Sequence, residues 1–191
     1  MILFVSDLHL SRQTPELNAL FLHFLGGRAR AAEALYVLGD LFEYWVGDDD
    51  IDNPNHAAVI AGLRDFTGSG IPLYVMRGNR DFLLGEGFAA ATGATLLTDP
   101  YILSTPEWQF VLSHGDALCT DDAEYQAFRA QSRTPEWQAE STTQSVPARS
   151  SVDTSSAVSS PSFSSATVPA GRFAPASASH TRCPSQVTAL P

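Results

Sequence analysis

The chain has 191 residues, a net charge of −10 and no lysine among its 11 basic residues. That length is enough to bury a core, and an acidic chain has no bulk electrostatic reason to bind nucleic acid. No run approaches the ~18 to 20 apolar residues of a membrane span, and the first residues read as a core strand rather than a signal peptide. The two cysteines, Cys119 and Cys183, form no spacing motif, so a reduced cytosolic setting is the default.

Ile2 to Val5 is a short unbroken apolar run, the pattern of a strand buried on both faces. Asp7 and His9 follow at once, two apart, on one side of the extended chain that leaves it. A carboxylate beside an imidazole at a strand end is a candidate metal-ligand pair. Thr14-Pro15 then opens a helix, with Thr14 as N-cap and Pro15 at its first position. Leu17, Leu20, Phe21, Phe24 and Leu25 give that helix one apolar face, and Gly26-Gly27 ends it. Leu35 to Leu38 is the next strand, completing a βαβ unit, and runs straight into Gly39-Asp40.

Residues 39 to 52 read as a loop with Phe42, Tyr44 and Trp45 beside the run Asp48-Asp49-Asp50, which reads equally well as a solvated face. A helix starts near Asn53-Pro54, turns Val59, Leu63 and Phe66 inward and stops at Gly68. Strand 73 to 76 leads through Arg77 to Gly78-Asn79-Arg80-Asp81. Phe82 to Ala91 is a loop entering a short helix closed by Gly93. Residues 101 to 104 and 108 to 113 form a hairpin, its second strand delivering His114-Gly115-Asp116. Asp121, with Glu124 three residues on, is the expected N-cap of a last helix carrying Tyr125 and Phe128 on one face.

Four apolar runs thus each end in a nitrogen or oxygen ligand. In an open α/β sheet such ends lie along one edge, where ligands bind. Asp7, His9, Asp40, Asn79 and His114 make a mixed carboxylate, amide and imidazole set. It suits Mn²⁺ or Fe²⁺, with Zn²⁺ possible and Ca²⁺ disfavoured. Asp40, in the middle, is the natural bridge between two ions. Such a pair activates water and clamps a phosphoryl oxygen, the machinery of phosphoester or phosphoanhydride hydrolysis.

Asp7-x-His9, Gly39-Asp40, Gly78-Asn79-Arg80-Asp81 and His114-Gly115-Asp116 resemble the ordered blocks of calcineurin-like metallophosphoesterases. The resemblance implies an α/β two-sheet sandwich flanked by helices, with a dinuclear site between strand ends. Arg80 stands where the wider family usually has His. Arginine cannot act as a general acid, but it can bind phosphate bidentately and stabilise developing charge. Residues 39 to 43, 45 to 50, 78 to 85 and 114 to 129 are similar to the UDP-2,3-diacylglucosamine hydrolase family.

That similarity implies cleavage of the UDP pyrophosphate in lipid A synthesis, releasing UMP and the acylated sugar 1-phosphate. It implies two Mn²⁺ ions and a peripheral, cytoplasmic location on the inner membrane surface, with no nucleic acid and no obligate protein partner. Asp7, His9, Asp40, Asn79 and His114 match metal ligands. Arg80, Asp40 and His114 match catalytic positions, and Asn79, Arg80 and Asp122 match substrate contacts. Trp45, Phe82, Leu83, Tyr125 and Phe128 fit a groove for two acyl chains; plain core packing is the alternative for each. Cys119 reads as a small buried hydrophobe, and His23 and His56 as structural or surface residues.

The resemblance covers residues 1 to about 140. From Ser141 to Pro191 the chain is mostly Ser, Thr, Pro and Ala, with a single acid, Asp153. The family's late Gly-His-x-His block is absent, and His180 has no second histidine two residues away. Residues 1–140 are therefore expected to form the N-terminal part of the domain, incomplete at its C-terminal end. Residues 141–191 are expected to be an out-of-frame translation, the alternative being a genuine disordered tail. A sandwich short of its last strands exposes sheet edges, so low stability and weak activity are expected.

Overall fold

The computed structural model describes residues 1–143 and 186–190. Strands β1 (Ile2–Val5), β2 (Ala34–Leu38), β3 (Leu73–Met76) and β4 (Thr95–Leu97) form one parallel sheet in the order β1-β2-β3-β4. Strands β5 (Tyr101–Ser104), β6 (Gln109–Ser113) and β7 (Gln186–Leu190) form a second, antiparallel sheet with β6 in the middle. Among the described residues the helices are α1 (Pro15–Gly26), α2 (Pro54–Gly68), α3 (Glu86–Thr92), α4 (Ala123–Ser132) and α5 (Pro135–Thr143).

Each helix start has a local cause. Pro15 and Pro54 sit at first-turn positions, where a missing N–H costs nothing. Asn53 caps α2 by accepting from the Asn55 N–H at 3.0 Å. Thr14 precedes α1 without capping it; its hydroxyl lies 3.1 Å from that of Ser11. Asp122, not Asp121, caps α4, accepting from the Tyr125 N–H at 2.9 Å.

The two faces of the parallel sheet bury different clusters. On one, Phe21 and Leu25 of α1, Val59, Leu63 and Phe66 of α2 and Phe88 of α3 pack over Leu35, Val37, Leu73 and Val75. On the other, Tyr36, Leu38 and Met76 meet Leu103 and Leu112 of the antiparallel sheet. Leu20 breaks the expected apolar face of α1: it is 63% exposed, because only one stripe of the helix reaches the sheet. His56 is a core residue, its ring 4.8 Å from that of Phe42.

Three differences from the sequence reading are topological. The fourth ligand-bearing strand, β6, belongs to the second sheet, so the convergence spans two sheets rather than one edge. Strand β4 had no signal, being three residues of which Thr95 faces solvent. Residues 186–190, read as part of a patternless tail, pair with β6 from Gln109↔Leu190 to Ser113↔Gln186. The expectations for residues 144–185 and 191 lie outside the described residues. Cys119, expected as a small buried hydrophobe, is half-buried and disulfide-bonded.

Candidate metal centre

The loops leaving β1 and β2 run side by side. Asp7 N–H donates to Gly39 O at 3.1 Å, His9 N–H to Asp40 O at 2.9 Å and Leu10 N–H to Leu41 O at 2.9 Å. This zipper aligns Asp7, His9 and Asp40, and it does so at a conformational cost. All three have positive φ, at 54°, 49° and 52°, in the left-handed region that non-glycine residues avoid. Backbone strain of about 1–3 kcal/mol per residue persists only where surrounding structure enforces it, and it concentrates at functional sites.

Asp81 supplies much of that enforcement. Fully buried, its carboxylate accepts from Gly78 N–H at 2.8 Å, Leu41 N–H at 2.7 Å and Phe42 N–H at 3.3 Å, locking the turn after β3 to the turn after β2. Burial, and then the Asp40 charge, push its pKa up to about 6. Two glycines let the turns approach. A Cβ on Gly78 would lie 2.1 Å from Asp40 Oδ1, and one on Gly39, whose φ is +91°, would lie 2.4 Å from His114 Nδ1.

The expected ligands come together here. Single ligand atoms of Asp7, Asp40 and His114 all lie within 4.8 Å of one another. Asp40 sits between the histidines, Oδ2 3.7 Å from His9 Nε2 and Oδ1 3.7 Å from His114 Nε2. His114 Nδ1 is 2.9 Å from Leu38 O and its Nε2 is 3.0 Å from Asn79 Oδ1, contacts that hold the ring on both sides.

Carboxylate, imidazole and amide groups thus converge, a set of the kind that holds a divalent cation. Asp40 is a buried member of it. Burial pushes its pKa above the ordinary carboxylate value, Asp7 adds to the push, and His114, His9 and the Arg80 N–H pull it back. The donor set fits a divalent metal.

The other expected residues divide. Arg80 lies at the rim, its Nη1 3.9 Å from Glu43 Oε1 and its guanidinium 5.9 Å from the Tyr44 ring centroid. Asn79, Phe82, Tyr125 and Phe128 close around one crevice with Arg129, Ser132 and Arg133, too tight to admit a water molecule. Leu83 packs half-buried against the core. Trp45 is corrected: at 2% exposure, stacked 5.1 Å from Phe42, it is core and no groove wall. Asp122 is the exposed cap of α4. Within the acidic run, Asp48 is structural, accepting from Trp45 Nε1 and from the Gly85 and Phe88 N–H groups that begin α3.

Several contributors were not singled out from the sequence, although Glu43 and Asp116 lie inside the blocks that carry the resemblance. Glu43 Oε2 lies 2.9 Å from His9 Nδ1. Asp116, buried behind His114, receives the Tyr125 hydroxyl and Arg129 Nε at 3.0 Å. Burial works against it, but those hydrogen bonds hold its carboxyl below the usual range. Trp137 closes a ring cluster with Phe82 and Phe128.

Strand ends from two sheets, strained carboxylate and histidine turns and a convergent set of carboxylate, imidazole and amide groups define a candidate metal centre. Residues 1–157 match the calcineurin-like phosphoesterases, and the chain belongs to that family. More particularly, it is 62% identical over 135 residues to a UDP-2,3-diacylglucosamine hydrolase of Chromobacterium violaceum, covering 71% of this chain and 56% of that one. Proteins of the same name from Enterobacter (52% over 133 residues; 70% and 55%) and Stenotrophomonas maltophilia (51% over 147; 77% and 59%) are also similar. The chain spans just over half the length of these curated relatives.

Proposed function

We propose that the chain carries the metal-binding half of a UDP-2,3-diacylglucosamine hydrolase, cleaving the pyrophosphate to give UMP and 2,3-diacylglucosamine 1-phosphate. The observation that carries this reading is the meeting of Asp7, Asp40 and His114 within 4.8 Å, in a chain so similar to relatives of that name. Asp7, His9, Asp40, Asn79 and His114 would hold two divalent ions, for which Mn²⁺ is our choice. Bound there, such ions polarise a phosphoryl oxygen and make water a nucleophile near neutral pH.

The residues divide the remaining work. Asp40, 3.7 Å from each of the two imidazoles, would be among the residues that hold the ions. Leu38 O faces Nδ1 of His114, and Glu43 faces Nδ1 of His9, leaving both Nε2 atoms toward Asp40. Arg80, at the rim and permanently charged, is placed to clamp a phosphate and cannot deliver a proton. Phe82, Tyr125 and Phe128, beside Asn79, are the residues we assign to an acyl-chain groove, which would have to open from the closed crevice between them. No described helix is long and apolar enough to cross a membrane; the inner membrane surface is our choice for where the lipid substrate is met.

The test is UMP release by the full chain from UDP-2,3-diacylglucosamine with Mn²⁺, beside a simple aryl phosphodiester. Turnover of the first, lost in Asp40→Asn, is expected. Preference for the aryl diester would move the reading to another phosphodiesterase, and Mn²⁺ binding without turnover would leave a metal-binding remnant.

A further inference from the structure

The centre is assembled from two sheets, and one side chain outside it reaches both. Arg133, at the junction of α4 and α5, donates from Nη2 to Gly78 O at 2.8 Å and to Asp116 Oδ2 at 3.4 Å. Gly78 opens the turn that carries Asn79, after β3; Asp116 closes the turn that carries His114, after β6. The guanidinium also lies 5.1 Å from the Phe82 ring centroid, which fixes its plane from a third side. Asp116 is anchored in turn by Tyr125 and Arg129, and Arg129 Nη2 continues to Asp99 at 3.4 Å.

Asn79 Oδ1 and His114 Nε2 stand 3.0 Å apart, so the separation of the two turns sets the spacing of these two side chains. Their turns are flexible by composition: Gly78 begins one, and Gly115, at φ +97°, follows His114 in the other. Among the described residues, Arg133 is the side chain hydrogen-bonded to both turns.

We propose that Arg133 is a positioning residue whose guanidinium sets the separation of Asn79 and His114, acting through Gly78 O and the Asp116 carboxylate. Its functional meaning rests on the metal-dependent reading above; the geometry itself does not. Arginine suits the task because Nη2 carries two N–H groups in a fixed plane, one for each acceptor, with the ring against that plane, whereas a lysine ammonium is a rotatable point charge on a flexible stem.

The test uses the full chain without metal, at one fixed pH, and follows the His114 ring and Asn79 side-chain amide signals by NMR. In Arg133→Ala both signals are expected to shift and broaden, and added guanidinium ion to restore them. Arg30→Ala is the matched control, since Arg30 also pairs with a carboxylate, Asp65, and lies over a ring, Phe66. It should leave both signals in place. Mn²⁺ affinity in Arg133→Ala should fall roughly 10- to 100-fold, the usual loss when support behind metal ligands is removed.

Wild-type signal positions in Arg133→Ala, or changes that guanidinium does not reverse, overturn the proposal. Should that variant fail to fold, Arg133→Lys keeps the charge and stem, and displaced signals are again expected; Lys indistinguishable from Arg overturns the clamp. The NMR comparison decides it whether or not the wild-type chain hydrolyses anything.

Discussion

Side chains named by motif and side chains named by geometry do different jobs in this protein. Asp7, His9, Asp40, Asn79 and His114 are legible as candidates because each comes just after an apolar run; ligand atoms of Asp7, Asp40 and His114 lie within 4.8 Å of one another, with His9 beside Asp40 and Asn79 beside His114. Asp81, Glu43 and Asp116 lie inside the family blocks and Arg133 outside them, but all four matter through atoms of other loops, so no local pattern tells what they do. Tyr125 offers a test at this scale. Burial, and then its bond to Asp116, raise its pKa above the ordinary tyrosine value. The unfolded chain therefore loses this proton first as pH rises. The stabilising contribution is whole below pH about 10 and erodes above it. Tyr125→Phe should cost roughly 1.5–3 kcal/mol near neutrality, the worth of a hydrogen bond to a charged acceptor. It should also flatten the alkaline loss of stability, as urea midpoints measured against pH will show.

At the scale of elements, one pentapeptide occurs twice with two outcomes. Thr-Pro-Glu-Trp-Gln occupies residues 105–109 and 134–138. The local bond is the same in both: the threonine hydroxyl accepts from the tryptophan N–H, at 3.0 Å in the first copy and 3.3 Å in the second. The continuation differs. Thr105 N–H donates to Trp108 O and the chain turns back into β6, whereas Gln138 N–H donates to Thr134 O and α5 begins. Trp108 ends up half-exposed on a hairpin, while Trp137 packs 5.8 Å from Phe82 and 6.0 Å from Phe128. Trp137→Ala should therefore cost roughly 2 kcal/mol, below a full core deletion because the ring is half-buried. Trp108→Ala should stay within about 0.5 kcal/mol. Denaturant unfolding of the two variants makes the comparison.

For the whole molecule, the centre stores unfavourable terms, three left-handed non-glycine residues and a buried Asp40 whose charge a bound cation would offset. Metal that binds only the folded state stabilises it by mass action. Saturation at about 100 times the dissociation constant should add roughly 2.7 kcal/mol. Mn²⁺ should accordingly raise the thermal midpoint, a chelator should reverse it, and Asp40→Ala should abolish the response. Strand β1 shows a related tension. Its sequence is apolar on both faces, as for a central strand, yet among the described residues it pairs only with β2, and Phe4 is 37% exposed. An unprotected apolar edge of this kind is a cost to stability and an invitation to association.

The sequence by itself determined the α/β class, most strand and helix positions, the five candidate ligands and the change in composition near residue 141. Those features are written in short-range periodicity, caps and residues next to strand ends, all of which act within a few positions along the chain. Tertiary structure decided the rest. It put β6 in a second sheet, sent Trp45 to the core and Leu20 to solvent, turned Asp122 into a cap and gave identical pentapeptides opposite fates. It also placed Asp81, Asp116 and Arg133 behind the ligands. Each of these outcomes depends on which distant backbone groups and side chains arrive alongside, and packing between remote segments settles that where local propensity is silent.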